Sequence, residues 1–392
     1  MKKDKILKTI LFISLIIFFE PQMFKDVLID IDKLYKILKI ISFFIIGCIY
    51  FKENIVNRKR LSKILIAMVS FQIFGLISTI YNKGSITRFI GPAITTLCMI
   101  MIAELLIEHK IYESVLKKVN IYFRICFVFN IISIFLVDKL NILNGRNVYF
   151  LGIDNRWIFT YLPWITFECI IAKNENKNMK IPMLVFVLTE ITLIYKYSTG
   201  AMIFSVLWIL IFIPKIKIVK HALLDYILTI IANILIVIVK IQEKFHYLLV
   251  DIMHKSDTLS GRTFLWDKVL KTITEKKILG FGMQTLEFDQ QYFYTSTNLK
   301  FDFLAVGHAH NTYMTVLYRR GIVGLINYVF IWIITIIRII KNKDHKYANI
   351  LFLSMLIVLL LSILDTIDAA GVYFILGSAF NIRKIGEDES EE

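Results

Sequence analysis

Two short stretches hold side chains whose types and spacing suit catalysis. In Gly307-His-Ala-His-Asn311, two imidazoles stand two residues apart and an amide follows. An imidazole with an ordinary pKa of about 6.5 accepts a proton near neutral pH. In Ser260-Gly-Arg262, a guanidinium follows a glycine. That planar, permanently charged group meets phosphate oxygens in pairs, and the glycine leaves the backbone open to close approach. Together they suit transfer of a group away from a diphosphate. The cation meets the charge that grows on the leaving group, which departs as an anion without a strong general acid, and the imidazole takes the proton of the attacking hydroxyl. His310 is the candidate base and Arg262 the candidate cation. Asn311 could orient its neighbour or bind a hydroxyl, while Arg88, Arg146 and Arg156 could complete a phosphate clamp.

Each candidate has a plainer reading. Arg262 could be a surface or headgroup-binding arginine, and His310 a histidine that caps or packs a helix start. His308 reads as structural or substrate-adjacent, and His246 and His254 as solvated loop residues. Trp266 is an interfacial anchor more often than a sugar-stacking platform, and snorkelling is the default for Arg88 and Arg156 beside helix ends. His308 and His310 would share a metal ion only on extended chain, and no third ligand stands out, so no metal is expected.

The elements that must position these residues are apolar helices. Of 392 residues, 57% are apolar and only 20% charged, which excludes an ordinary soluble protein. The four cysteines, Cys48, Cys98, Cys126 and Cys169, lie in apolar runs and form no disulfide framework or metal-ligand pattern. Despite a net charge of +15, the lysines and arginines punctuate apolar runs instead of lining one face, so nucleic acid is not an expected partner. Apolar stretches recur at about 6–20, 34–51, 61–81, 89–107, 121–137, 157–172, 181–195, 199–213, 221–239, 321–340, 347–364 and 367–381. They predict an all-α polytopic membrane protein of about 12 transmembrane helices, or 11 if Lys196–Gly200 lies in one broken segment. The first stretch lacks a cleavage signal and is expected to stay.

Basic residues set the orientation. Clusters such as Lys2-Lys3-Asp-Lys5, Arg58-Lys-Arg60, Lys117-Lys118 and Lys341–Lys346 mark inner segments, and both termini come out cytoplasmic. The expected division is residues 1–239 as helices 1–9, 240–320 as one large extracytoplasmic loop, 321–381 as helices 10–12, and 382–392 as an acidic cytoplasmic tail. Within the loop, Leu265, Trp266, Val269 and Ile273 predict an amphipathic helix over Arg262–Lys277, suited to the headgroup level, with a turn at Gly280-Phe-Gly282. Glu190 is the acidic residue placed well inside a span, with Lys196 or Tyr195 as its expected neighbour.

The order Ser260-Gly-Arg262, Trp266, Ile278-Leu-Gly-Phe-Gly282, His308-Ala-His-Asn311-Thr-Tyr and Arg320-Gly321-Ile-Val-Gly324 resembles the O-antigen ligase and polymerase superfamily. The resemblance implies a metal-independent glycosyl transfer without cofactor, in a helical fold similar to the lipid-carrier-dependent glycosyltransferases. It implies an undecaprenyl-diphosphate-linked glycan donor and a glycan acceptor, in contact with membrane lipid, with a chain-length regulator and a flippase as further partners. The site would lie on the outer face of a bacterial cytoplasmic (inner) membrane. His310 and Arg262 would be catalytic, and Arg88, Arg156, His308, Asn311 and Trp266 would bind substrate. A polymerase of capsule, exopolysaccharide or O-antigen is the first reading. A ligase that moves finished glycan to a lipid or wall acceptor is the second, and a lipid-linked oligosaccharide flippase or other transporter the third.

Overall fold

The computed structural model describes residues 2–56, 61–140, 148–213, 216–252, 256, 258–259, 261–294 and 307–386. Arg58, Lys59 and Arg60, Arg146, His254, Ser260 and the last six residues of the acidic tail lie outside them. All regular structure among the described residues is helical. The chain opens with α1 (Lys2–Phe18), a short α2 (Gln22–Asp26), α3 (Ile29–Val56), α4 (Lys63–Tyr81), α5 (Ile86–Glu108) and α6 (Tyr112–Leu140). It continues with α7 (Ile158–Asn174), α8 (Lys180–Tyr195), α9 (Thr199–Ser205), α10 (Ile209–Phe212) and α11 (Ala222–Val237). The last group is α12 (Arg262–Thr272), α13 (Leu286–Tyr294), α14 (Thr312–Lys341), α15 (Ala348–Leu364) and α16 (Ala370–Phe380).

Every apolar stretch read from the sequence is wholly or largely helical, yet among the described residues six helices are both long and apolar enough to cross a membrane. They are Ile29–Asn54, Lys63–Tyr81, Ile86–Glu108, Tyr112–Asp138, Ile218–Val237 and Thr312–Lys341. The others are shorter. The stretch at 199–213 breaks into α9, a 3-10 turn over Val206–Trp208 and α10. Tyr197, in the left-handed region (φ 53°), separates α8 from α9, which then pack on each other as two segments. Large side chains such as Phe44, Ile73, Phe135 and Leu184 stand exposed on the outer helix faces. Such a surface suits hydrocarbon, not water.

Polar groups gather at the two ends of the bundle. At one end, Glu53 meets His109, Glu113 accepts from Asn174 and Tyr347, and Lys217 pairs with Asp344. At the other end meet the segments after α1, α4, α6 and α15 and the chain that leads into α14. There Ser85 caps α5 by accepting from Arg88 N–H, and its own N–H donates to the carbonyl of Met283.

That second end is organised by a break in α14. Gly321 has φ 61° and ψ −164°, so Tyr318 and Arg319 lose helical partners for their carbonyls. The Gly280–Gly282 turn supplies replacements. Phe281 N–H donates to Tyr318 O (2.7 Å) and Gly282 N–H to Arg319 O (3.0 Å), while Ile322 N–H donates back to Lys277 O (2.8 Å). The two strands approach so closely that a Cβ on Gly280 would lie 2.5 Å from both Gly321 N and Tyr318 O, and one on Gly321 2.2 Å from Ile278 O. Phe281 then stacks on Tyr318 with ring centroids 5.2 Å apart.

Around this junction lies a second apolar core of Val237, Leu265, Trp266, Val269, Phe281, Phe293, Ala309, Met314 and Tyr318. The amphipathic helix expected over Arg262–Lys277 ends at Thr272, with one 3-10 turn after it. Its apolar face is turned into this core and not toward headgroups. Lys196 pairs with Asp138 at 2.9 Å, so its partner is not Glu190.

Gly280→Ala should place a methyl group against fixed backbone at φ 68°, and Gly321→Ala should do the same from the other side. Both are expected to lower the melting temperature of the purified protein by several degrees. Gly47→Ala, with open space around its Cβ, should leave the melting temperature unchanged or raised. Equal melting curves for all three would refute the account of the junction.

Candidate active site

His310 sits at the start of α14 and is held from several sides. It adopts a left-handed backbone (φ 47°), which a non-glycine residue keeps only when its surroundings fix it. Asn311 does much of the fixing. Fully buried, it caps α14 by accepting from Met314 N–H (2.9 Å), and its amide donates to Asn233 (2.7 Å) and to Ile363 O (2.9 Å). Both capacities of the amide are thus used inside the protein, which makes Asn311 the residue that orients its neighbour. Trp266 secures the other side. It is fully buried, and its indole N–H donates to Ala309 O (2.9 Å). It is neither an interfacial anchor nor a sugar platform, because its ring and its donor are both consumed in the core.

The structure supplies a partner that the motif did not contain. Asp365, just past the end of α15, lies 3.4 Å from His310 Nδ1. Burial tends to raise its pKa, but the hydrogen bond and charge of His310, then His308 and Arg262, outweigh it and hold the carboxyl well below its ordinary range. An ionised Asp365 places the proton of His310 on Nδ1 and leaves the lone pair on Nε2, the arrangement of a base oriented by a carboxylate. His308 is assigned the opposite tautomer by its hydrogen bond. Its Nδ1 accepts from His310 N–H (3.2 Å), so Nε2 carries the proton. The two rings lie edge to face, centroids 4.4 Å apart.

Burial lowers the pKa of His308 well below its usual value, and the neighbouring charges of His310, Arg319 and Arg156 lower it further against the opposing pull of Asp365. It is a neutral donor at pH 7. Arg262 follows Gly261, whose φ of 82° begins α12, and its Nε is buried without a hydrogen-bond partner among the described residues. Burial lowers its pKa while Asp365 raises it.

These groups back onto a cavity of about 530 Å³. His308, Arg156 and Arg319 line it, with Lys25 and Asp368 also on its wall, whereas His310, Arg262 and Asp365 are not lining residues. Arg319, which the sequence reading passed over, donates to Gly307 O (2.8 Å). Arg88 is diverted. It pairs at 3.0 Å with Asp289, a fully buried carboxylate that also accepts from Tyr318 (2.9 Å). Arg88 is thereby a brace for the wall. Arg320 is likewise structural, its guanidinium 3.7 Å from the centre of the Phe71 ring and 3.0 Å from Gln72. His246 is exposed and apart from the cluster.

The expectation that His308 and His310 lack a third ligand is corrected. Atoms of His308, His310 and Asp365 all lie within 4.8 Å of one another, a possible cation site. The charge around it argues otherwise, because Arg262 acts on Asp365, and Arg319 and Arg156 act on His308. Asp365 had one signal in the sequence: an acid in the two-residue turn between stretches 347–364 and 367–381, at the end where the histidines also fall.

A histidine whose pKa is lowered by folding binds its proton more readily when unfolded, so acid must cost stability from about pH 6.5 downward. The melting temperature should fall between pH 7.5 and 5, and should fall less in His308→Asn. An identical decline in the variant would remove His308 as its source.

No curated protein matches the chain. Residues 184–329, from within α8 into α14, match the family described as O-antigen ligase. That stretch carries the Gly261-Arg262 element, the Gly280–Gly282 turn, the histidines and the Gly321 junction, and over it this integral membrane protein is similar to the O-antigen ligase family.

Proposed function

We propose that the chain is a glycosyltransferase that joins lipid-diphosphate-linked oligosaccharide units into capsule, exopolysaccharide or O-antigen. It works on the outer face of a bacterial cytoplasmic membrane, with both termini inside, about twelve helices in the bilayer and residues 240–320 outside. The observation that carries the reading is the line Asp365, His310, His308, which ends on a cavity walled by Arg156 and Arg319. The distribution of lysine and arginine supports the orientation independently. Lys25, Arg156, His308 and Asp368 come from segments that it assigns to the outer side, and all four border one cavity.

The reaction needs three things of the protein. The diphosphate of the donor lies against Arg156 and Arg319, and Arg262 adds its charge from beyond the wall; together they take up the charge that grows as the bond to C1 breaks. Neutral His308 donates from Nε2 to a phosphate or sugar oxygen. The acceptor hydroxyl attacks C1 and gives its proton to His310 Nε2, and Asp365 steadies the imidazolium. The proton and the leaving anion are both accounted for by side chains, and no step calls on a metal.

The family description favours a second reading, a ligase with the same apparatus and a different acceptor. Lipid-linked repeat units extracted from the producing cells, given to the reconstituted protein, separate the two: a polymerase elongates them with no other acceptor present. His310→Ala and Arg262→Ala should each slow elongation by about a hundredfold or more, and Asp365→Asn by about tenfold or more. Elongation should persist in chelator. Native rates in the histidine and arginine variants, or a strict need for a divalent ion, would overturn the mechanism.

A further inference from the structure

The cavity has a cationic group that the reaction above does not use. Lys25, on α2, borders it together with Lys36 and Lys39 of α3. The last two are already neutralised. Lys36 pairs with Asp32 at 2.6 Å, and Lys39 with Glu20, whose side chain is 1% exposed. Lys25 has no acid within ion-pair distance among the described residues. It is exposed and borders the cavity, and Arg156, which borders the same cavity, acts on it electrostatically. Desolvation at the cavity wall, and then the charge of Lys39, lower its pKa against the pull of Glu20 and Asp368.

The element that carries it is fixed. Met23 N–H donates to Phe150 O (3.2 Å), Tyr122 donates to Phe19 O (2.9 Å), and Gly152 lies so close that a Cβ there would touch Gln22 at 2.7 Å. The backbone that carries Lys25 is therefore fixed beside the cavity wall by a braced turn. The donor diphosphate, if it is to leave beside His310, belongs at the end with Arg262, Arg319 and His308. That assignment leaves Lys25 for something else.

We propose that Lys25 forms a second anion subsite in this cavity and holds an anionic group of the acceptor glycan. This rests on the transferase reading for the word acceptor, though not for the site itself. The anionic oxygens could belong to the diphosphate of a second lipid-linked unit, as a polymerase requires, or to the carboxylate of an acidic sugar.

Binding without turnover tests it, so a failure of glycan transfer would leave the result standing. The full-length protein in nanodiscs is titrated by equilibrium dialysis with labelled farnesyl diphosphate and, separately, with glucuronate. The native protein should take up two molecules of farnesyl diphosphate. Lys25→Met and Arg262→Met should each lose one of them by tenfold or more in affinity, and Lys25→Arg should keep both, which shows that a cation and not merely a fold is needed. Loss in Lys25→Met of glucuronate binding alone would assign the subsite to an acidic sugar. Native binding of both probes by Lys25→Met, or a native protein that takes one farnesyl diphosphate and no glucuronate, would overturn the proposal.

Discussion

The exchange of backbone hydrogen bonds between the Gly280–Gly282 turn and the broken α14 is the constraint on which the rest depends. A helix interrupted at Gly321 would leave carbonyls of Tyr318 and Arg319 unpaired, at a cost of about 1–3 kcal/mol for each buried group. The turn removes that cost, and only glycines permit the approach, since any Cβ at Gly280 or Gly321 would meet main-chain atoms. Ser78 of α4 adds a hydrogen bond to Arg319 O (3.1 Å), and Met283 N–H donates to Thr79 (3.0 Å), so α4 grips the same junction. One consequence is geometric. With α14 broken there, Arg319 is directed to the cavity wall and Arg320 into the space between α4 and α5, although the two are neighbours in sequence.

A second consequence concerns His310. Its strained backbone survives because the chain on both sides is pinned: Ala309 by Trp266 and Thr315, Asn311 by α11 and α15. Thr312 accepts from Ile367 N–H and donates to Asp365 O, both at 3.0 Å, which sets the turn carrying the carboxylate against the turn carrying the imidazole. The His310 and Asp365 side chains thus meet through a backbone scaffold and do not rely on their own attraction. Such placement on fixed elements lets the two side chains hold their geometry without a ligand between them.

The helices were legible in the sequence because a span of apolar residues must hydrogen-bond its own backbone whatever it packs against. The motif residues Arg262, His308 and His310 were legible as chemistry because their types and order are local facts. What they touch was not local. Asp365 follows His310 by 55 residues and Lys25 precedes Arg156 by more than a hundred, so their meeting is a property of packing alone. Trp266 shows the converse. Its place beside charged residues on a short amphipathic helix fitted the headgroup region, but a second core built on α14 offered full burial and a carbonyl for its N–H, and that environment satisfies both ends of an indole better.

Electrostatics unites the site. Desolvation and the charges of His310, Arg319 and Arg156 depress His308, and with it the uptake of a proton that would turn it into one more cation. The same potential attracts an anion, and in a cavity of low dielectric it does so more strongly than in water. A neutral donor at the wall and a cavity that favours an anion are therefore two results of one cause. When the anion is bound, it offsets the arginines, and the cost of charging an imidazole beside them falls.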